Sequence, residues 1–472
     1  MGMTSPAAHD AAGAASRRLS LVLFGALAAA VAAEIALAVT FGGAPRDARD
    51  AWGTVLAIFL ALSLAGAGVL LAVWRARHLA VSGSMGLAIA GAGLLMRMPF
   101  FGSGVMLEDD HFRYLLDGAM LAEGLSPYAH APAAVLNGVP GVPPALVDAG
   151  RAMIVAINFP ELRSIYPGSA QLMFALAHWI KPWSIDGLRL VIFAAEALTA
   201  VLVWRLLVLT GRSPLLTALY WCNPLLAFCL TGQAHIDAVL VPPLLLALIA
   251  VQRNAGAGAG VGLGLAVGVK LWPVLLAPLV MRALWPDRRA LARFVPALGL
   301  VTLALCGPLL WASRTPDAGL TAYAGGWSIN NAPYAWISYT FYRLIGPGTG
   351  EVILRALVML AAASASLAVT LRPIGGLPDL LARATLLAAL VFYLSPAQFP
   401  WYSVWFLPLA AASGSWRLAA ASVGLPIYYL FFPLALAGQG DIHGYGLAFL
   451  HLLPLLLMTQ WVRGASHSGA TA

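Results

Sequence analysis

Apolar runs of about 20 residues recur along this chain from Leu19 to Trp461, each long enough to cross a bilayer core as a helix. The first three are read at Leu19–Phe41, Gly53–Trp74 and Leu79–Phe100. There the oily pattern breaks: Glu108 to Tyr128 reads EDDHFRYLLDGAMLAEGLSPY, a polar island ahead of the remaining apolar runs. Within it Asp110, Arg113, Tyr114 and Asp117 fall at i, i+3, i+4 and i+7, one face of a helix. Phe112, Leu115, Leu116 and Ala119 repeat that spacing on roughly the opposite face, and Gly124 and Pro127 end the helix. The pattern predicts an amphipathic helix on the membrane surface, apolar side down, with two carboxylates, a guanidinium and a phenol aimed at one place. A solvated loop helix with no chemistry carries the same pattern.

Residues 101–165 form the first long loop, which also carries INFPELRSIYPG at Ile157–Gly168. A loop of this length inside a compact protein is more often functional than idle. Further spans are read at Tyr166–Ile180, Leu188–Leu209, Leu215–Leu230 and Ala238–Val251, then a run from Val261 to Leu284 broken around Lys270–Pro273. Arg17, Arg18, Arg75 and Arg77 mark cytoplasmic ends, which puts the island on the far face. Simple alternation fails between Arg205 and Arg293 unless a half-span lies near Gly232–Asp237 or Lys270–Pro273. Beyond it, loops Tyr323–Tyr334 (YAGGWSINNAPY) and Leu394–Trp405 (LSPAQFPWYSVW) fall on the same far face as the island. One site could assemble from the three.

Composition agrees with this pattern. The 472 residues are 61% hydrophobic and 10% charged, with a mean hydropathy of +0.85. Soluble domains carry about a quarter charged residues, so the chain reads as an all-α polytopic membrane protein of roughly 11–14 spans. Residues 1–18 read as a disordered cytoplasmic tail, 19–463 as one transmembrane domain and 464–472 as a second tail. The net charge of +8 resides largely in short loops, and no basic-aromatic surface points to nucleic acid. Cys222, Cys229 and Cys306 lie in apolar runs without metal spacing and read as packing residues.

Ionisable groups inside spans are costly and are functional candidates by default. Here they are Glu34, Glu196, His235, Asp237 and Lys270. His235 and Asp237 could equally be a structural hydrogen-bonded pair, and Lys270 could snorkel to a headgroup or hold a phosphate as a point charge. Together the residues point to group transfer at a membrane surface. Asp110 would take a proton from an acceptor hydroxyl, and Arg113, Arg163, His235 or Lys270 would stabilise charge developing on a leaving phosphate. Asp109-Asp110 without histidine ligands nearby is weak ground for a metal.

Five stretches, in order, resemble the signature of prokaryotic glycosyltransferases with the GT-C fold, the polyprenyl-phosphate-sugar-dependent enzymes that include actinobacterial α-mannosyltransferases. DDHFRYLLDG at Asp109–Gly118, with Gly124, Pro127 and Tyr128, resembles DDxYRYxWDGxxxxxGxNPY. Tyr166-Pro167 resembles YPP, although Gly168 follows in place of a second proline. NPLLAFCLTGQAHIDA at Asn223–Ala238 resembles NPLxxxxxxGxxHNDA, with Ile236 where the motif has asparagine. Val269–Pro273 resembles VKLxP, and LSPAQFPWYSVWFLPL resembles LSPxxxPWYLLWLLPL. The matches span roughly residues 100–410.

The resemblance implies a GT-C bundle with amphipathic helices in the first external loop, in a bacterial inner membrane with the site on the periplasmic or extracellular side. It implies inverting transfer of a hexose, most often mannose, from a polyprenyl-phosphate donor to a glycolipid or polysaccharide acceptor, usually without a metal or other cofactor. Asp110 corresponds to the general base, with Asp109 its rival. Arg113, Tyr114, Asp117, Arg163, Tyr166, His235, Asp237, Lys270, Trp401 and Tyr402 correspond to substrate or donor-phosphate positions. Where several relatives have histidine before PWY this chain has Phe399, so Gln398 or Lys270 is expected to take over that contact. The alternative from another class is a transporter or flippase of lipid-linked sugars, whose mark would be a repeat between halves; no convincing repeat is present. An oligosaccharide ligase would want a longer late external loop than Ala312–Gly350.

Overall fold

The computed structural model describes residues 6–42, 51–315, 318–346, 348–454 and 456–457. Among them the architecture is helical throughout, apart from one isolated parallel bridge between Ile329 and Ala397. Seven helices are long and apolar enough to cross a membrane, or eight if one bent pair counts as a span. The protein is a multi-pass, all-α membrane protein.

Fewer full-length spans occur than the apolar runs predict, because several runs are broken. Leu79–Phe100 holds only a 15-residue helix, Gly83–Arg97, begun by the Ser82 side chain, which accepts from Met85 N–H. The run at Leu215–Leu230 bends by 47° between Pro214–Trp221 and Pro224–Gly232, where Pro224 cannot continue the preceding ladder. Beyond Gly256–Val267 the chain turns at Gly268–Lys270 before resuming at Trp272. The interruptions expected near Gly232–Asp237 and Lys270–Pro273 thus both exist as helix breaks. At the N-terminus a single helix runs Pro6–Phe41, so residues 6–18 extend the first span instead of forming the expected disordered tail. The expected C-terminal tail, 464–472, lies outside the described residues.

The island forms its helix, Asp110–Ala122, close to the predicted bounds, and Gly124 ends it at φ +75°. Its setting differs from the expectation. The helix is packed on both faces instead of floating on the membrane: Leu116, Ala119 and Met120 join Val147, Ile154 and Ile157 in a small core of the external loop. On the other side Gly118 lies so close to Gly168–Ile180 that a Cβ there would sit 2.4 Å from the Phe174 carbonyl oxygen.

Buried charge holds the bundle around the breaks. Arg97 and Glu196, both 0% exposed, pair at 2.6 Å, and Arg97 also donates to the Gly93 and Trp221 carbonyls. The second Glu196 oxygen accepts from Thr231 Oγ1 at 2.5 Å. Arg189, also buried, donates to the carbonyls of Ser103, Gly104, Thr231 and Gly232. It thereby ties the chain leading into the island to the broken helix. Glu34 is buried with neither carboxyl oxygen hydrogen-bonded, and the three cysteines are buried free thiols.

Removing one member of a buried ion pair leaves its partner's charge uncompensated, at a cost of about 3–5 kcal/mol. Glu196→Ala is therefore expected to lower the thermal unfolding midpoint of the detergent-solubilised protein well below that of Glu196→Gln, which keeps acceptors for Arg97 and Thr231. Equal midpoints for the two variants and the parent would refute a structural role for the pair.

Candidate functional site

Three loops meet at one cavity of about 650 Å³. The island supplies Glu108, Asp109, Asp110 and Arg113; the stretch after it supplies Asn158, Phe159 and Arg163; the late loops supply Tyr323, Trp327, Trp401 and Tyr402. The late loops are latched by their backbones. Ile329 N–H donates to the Pro396 carbonyl and Gln398 N–H to the Ile329 carbonyl. Asn330 and Asn331 donate through their side chains to the Gln398 and Ser395 carbonyls. The NN pair is thus a loop fastener.

Asp110 opens the first turn of the island helix and its side chain is 32% exposed, toward the cavity. Tyr114 OH donates to its Oδ2 at 3.4 Å, and His235 Nδ1 stands 3.7 Å from the same oxygen. Burial, reinforced by the neighbouring Asp109 carboxylate and only partly opposed by Lys270, pushes the Asp110 carboxyl up to about 7. Asp109, at the helix N-cap, does not cap with its side chain and instead accepts from Asn158 Nδ2 at 2.6 Å. Asp110 thus has the protonation balance a proton acceptor needs near neutrality.

The broken helix delivers His235 and Asp237. Ala234 sits in the left-handed region at φ 59°, backbone strain of the kind that the surrounding structure must enforce. It turns the chain so that His235 stacks on Trp401 with ring centroids 3.7 Å apart, and neither imidazole nitrogen has a hydrogen-bond partner. Asp237 accepts from Trp405 Nε1 at 3.0 Å and lies 3.5 Å from Lys270 Nζ. Lys270 Nζ also reaches Tyr402 OH at 3.4 Å, and Tyr402 OH in turn meets Tyr323 OH at 3.0 Å. His235 and Asp237 are therefore not hydrogen-bonded to each other; each belongs to a different side of the site.

A second, apolar groove of about 270 Å³ is lined by Lys270 together with Leu320, Val358, Met359, Val391 and Leu394. It shares Ile165, Tyr166, Tyr323 and Tyr402 with the polar cavity.

Several residues expected at the site have other duties. Asp117, on the same helix face as Asp110, is buried and accepts from Ser164 Oγ and Gln171 Nε2; it fixes the loop leading to Tyr166 and lines neither cavity. Tyr114 lines neither cavity, being stacked on Phe174 with its hydroxyl donating to the Asp110 carboxylate and accepting from the Tyr166 hydroxyl. Gln398 is held by the loop latch, donates to the Tyr393 carbonyl and does not reach the cavity wall, where Phe399 stands instead. Arg113 lines the cavity but donates to the Phe159 and Leu162 carbonyls. Arg163 donates to the Tyr128 and Ala312 carbonyls and to Thr315 Oγ1.

Other cavity residues escaped the sequence reading. Asn158 sat within a stretch already noted, and its polarity between Ile157 and Phe159 was the available signal. Tyr428, Phe431 and Phe432 carried none, since they lie in an ordinary-looking apolar span, Trp416–Leu436. One further contact joins two residues that line the cavity: Phe159, half exposed, meets Trp327 edge-on with centroids 4.7 Å apart. Among the described residues no three His, Cys, Asp or Glu side chains cluster as metal ligands would.

Comparison of the chain with models of known protein families, with curated proteins and with solved structures gives no match.

The charges around Asp110 make a signed expectation. Lys270→Met removes the cation that lowers its pKa and should raise it above about 7, whereas Asp109→Asn removes a raising charge and should lower it. Infrared titration of the carboxylic C=O band in isotope-labelled protein reads both; identical titration in the two variants would contradict the arrangement.

Proposed function

We propose that the protein is an integral-membrane glycosyltransferase of the GT-C type. It moves a hexose, mannose by preference, from a polyprenyl-phosphate donor to an acceptor hydroxyl, in a bacterial cytoplasmic membrane with its site on the outer face. The observation that carries this reading is the meeting of two unlike cavities along Ile165, Tyr166, Tyr323 and Tyr402. The apolar groove on one side is lined by the Lys270 ammonium, which reaches the shared Tyr402 hydroxyl, and the more polar cavity on the other contains Asp110. A lipid phosphate suits that geometry: chain in the groove, phosphate at Lys270, sugar in the polar cavity.

The chemistry follows from the same positions. The acceptor oxygen forms a bond to the anomeric carbon as the bond from that carbon to the phosphate oxygen breaks. The bonding electrons leave with the phosphate, whose growing charge Lys270 offsets, and the hydroxyl proton passes to Asp110. Attack opposite the leaving group inverts the anomeric centre. Tyr402, which lines both cavities, and Asp237 hold the ammonium in place. The ordered resemblance of five motifs to this family supports the same assignment.

Asp110→Asn is expected to cut transfer of labelled mannose from polyprenyl-phosphate-mannose in membranes by about 10²–10⁴, the usual worth of a positioned base. Near-normal transfer by that variant would overturn the base. In the parent protein the acting form is the ionised carboxylate, so the rate should climb with pH through about 7 and level off above it. A rate already flat from pH 5 upward would contradict a base with that titration.

A further inference from the structure

Resting on the glycosyltransferase reading, we propose that the acceptor is a membrane alcohol with a flat, unsaturated or polycyclic hydrocarbon body, not a polysaccharide chain. The reason is a continuous ladder of rings leading away from the reacting carboxylate. His235, beside Asp110, stacks on Trp401 at 3.7 Å, and Trp401 stacks on Phe399 at 4.4 Å. Phe399 meets Tyr428 edge-on at 5.8 Å, Tyr428 meets Phe432 at 5.6 Å, and Phe432 meets Phe431 at 6.0 Å. All of these except His235 line the polar cavity itself. The ladder therefore begins at the proton acceptor and ends on the membrane-spanning segment Trp416–Leu436, where Leu436 is exposed.

A polysaccharide would need the reverse. Sugar hydroxyls require several convergent donors and acceptors, because a buried polar group left without a partner costs about 1–3 kcal/mol. In this cavity Asp109 is engaged by Asn158, Arg113 by two carbonyls and Tyr402 by Lys270 and Tyr323, and the polar groups that remain are those the donor's hexose would use, which leaves none for a second run of sugars. The phenylalanines of the ladder offer no hydrogen bond at all. Trp401 and Tyr428 are buried within the ladder, so the π surface on offer is that of the partly exposed Phe399, Phe431 and Phe432, which favours flat apolar bodies in offset or edge contact. The donor's chain has its own groove, separated from the ladder by Tyr402 and Tyr323, so the ring wall is left for the second substrate. One hydroxyl at Asp110 and a hydrocarbon body along the rings satisfies both halves of the cavity.

The test uses the full-length protein in lipid nanodiscs with radiolabelled polyprenyl-phosphate-mannose. Cholesterol and retinol serve as polycyclic and polyene alcohols, and octyl mannoside and mannotriose as sugar acceptors. Label is expected to enter the cholesterol or retinol product at least tenfold faster than either sugar product, and Phe399→Ser and Phe431→Ser are each expected to cut that transfer tenfold or more. Label moving to octyl mannoside or mannotriose alone would overturn the acceptor class while leaving the glycosyltransferase reading intact. A photoreactive diazirine analogue of cholesterol supplies a readout free of turnover: adducts within residues 399–402 and 428–432 support the proposal, and adducts confined to the lipid-facing surfaces of Arg288–Ala312 and Thr349–Ala368 overturn it. Specific adducts on the ladder with no transfer to any acceptor would instead sink the enzymatic reading on which the proposal rests.

Discussion

An irregular backbone inside an oily bundle must find hydrogen bonds from within the protein, since hydrocarbon supplies none. Across the break between Phe228 and Leu240, Arg189 meets much of this demand. Its guanidinium takes the carbonyls of Thr231 and Gly232 on one side and of Ser103 and Gly104 on the other. Gln233 repeats the device by accepting from Leu107 N–H. The same few bonds therefore let the helix open, bring His235 and Asp237 out of it, and hold the chain that enters the Asp110 helix. Position and permission come from one residue.

A division of labour follows among the charged groups. Arg97, Arg189, Glu196 and Asp117 are spent on the frame and are deeply enclosed. Asp110 and Lys270 keep part of their side chains open, 32% and 17%, and each faces a different cavity. Their mutual field is one of the influences on the Asp110 carboxyl, so the two cavities are electrostatically joined although their linings differ.

Much of this was legible in the chain. The island helix was readable from its i, i+3, i+4, i+7 spacing and its terminating Gly124, and local periodicity does specify local structure. A charge pattern that simple alternation could not satisfy called for a half-span near Gly232–Asp237 or Lys270–Pro273, without telling which, and the helices break at both. What the same spacing could not tell was which member of a polar face looks at a cavity. Asp110 and Asp117 share a face, yet Ser164 and Gln171, from a distant stretch, claim Asp117. Gln398 was likewise indistinguishable from a site residue until its backbone pairing with Ile329 was seen. Full-length helices are fewer than the apolar runs because Pro224 and the Gly268 turn divide runs that hydropathy joins.

The meeting of Phe159 with Trp327 has a kinetic meaning. The backbone beneath each ring is pinned by an arginine: Arg113 holds the Phe159 carbonyl, and Arg355 holds those of Ala324 and Trp327. An aromatic edge contact is worth about 0.5–1.5 kcal/mol, and side-chain rotamers at exposed positions exchange in picoseconds to nanoseconds. The half-exposed Phe159 ring can therefore turn about its own side chain while the backbone beneath it stays held.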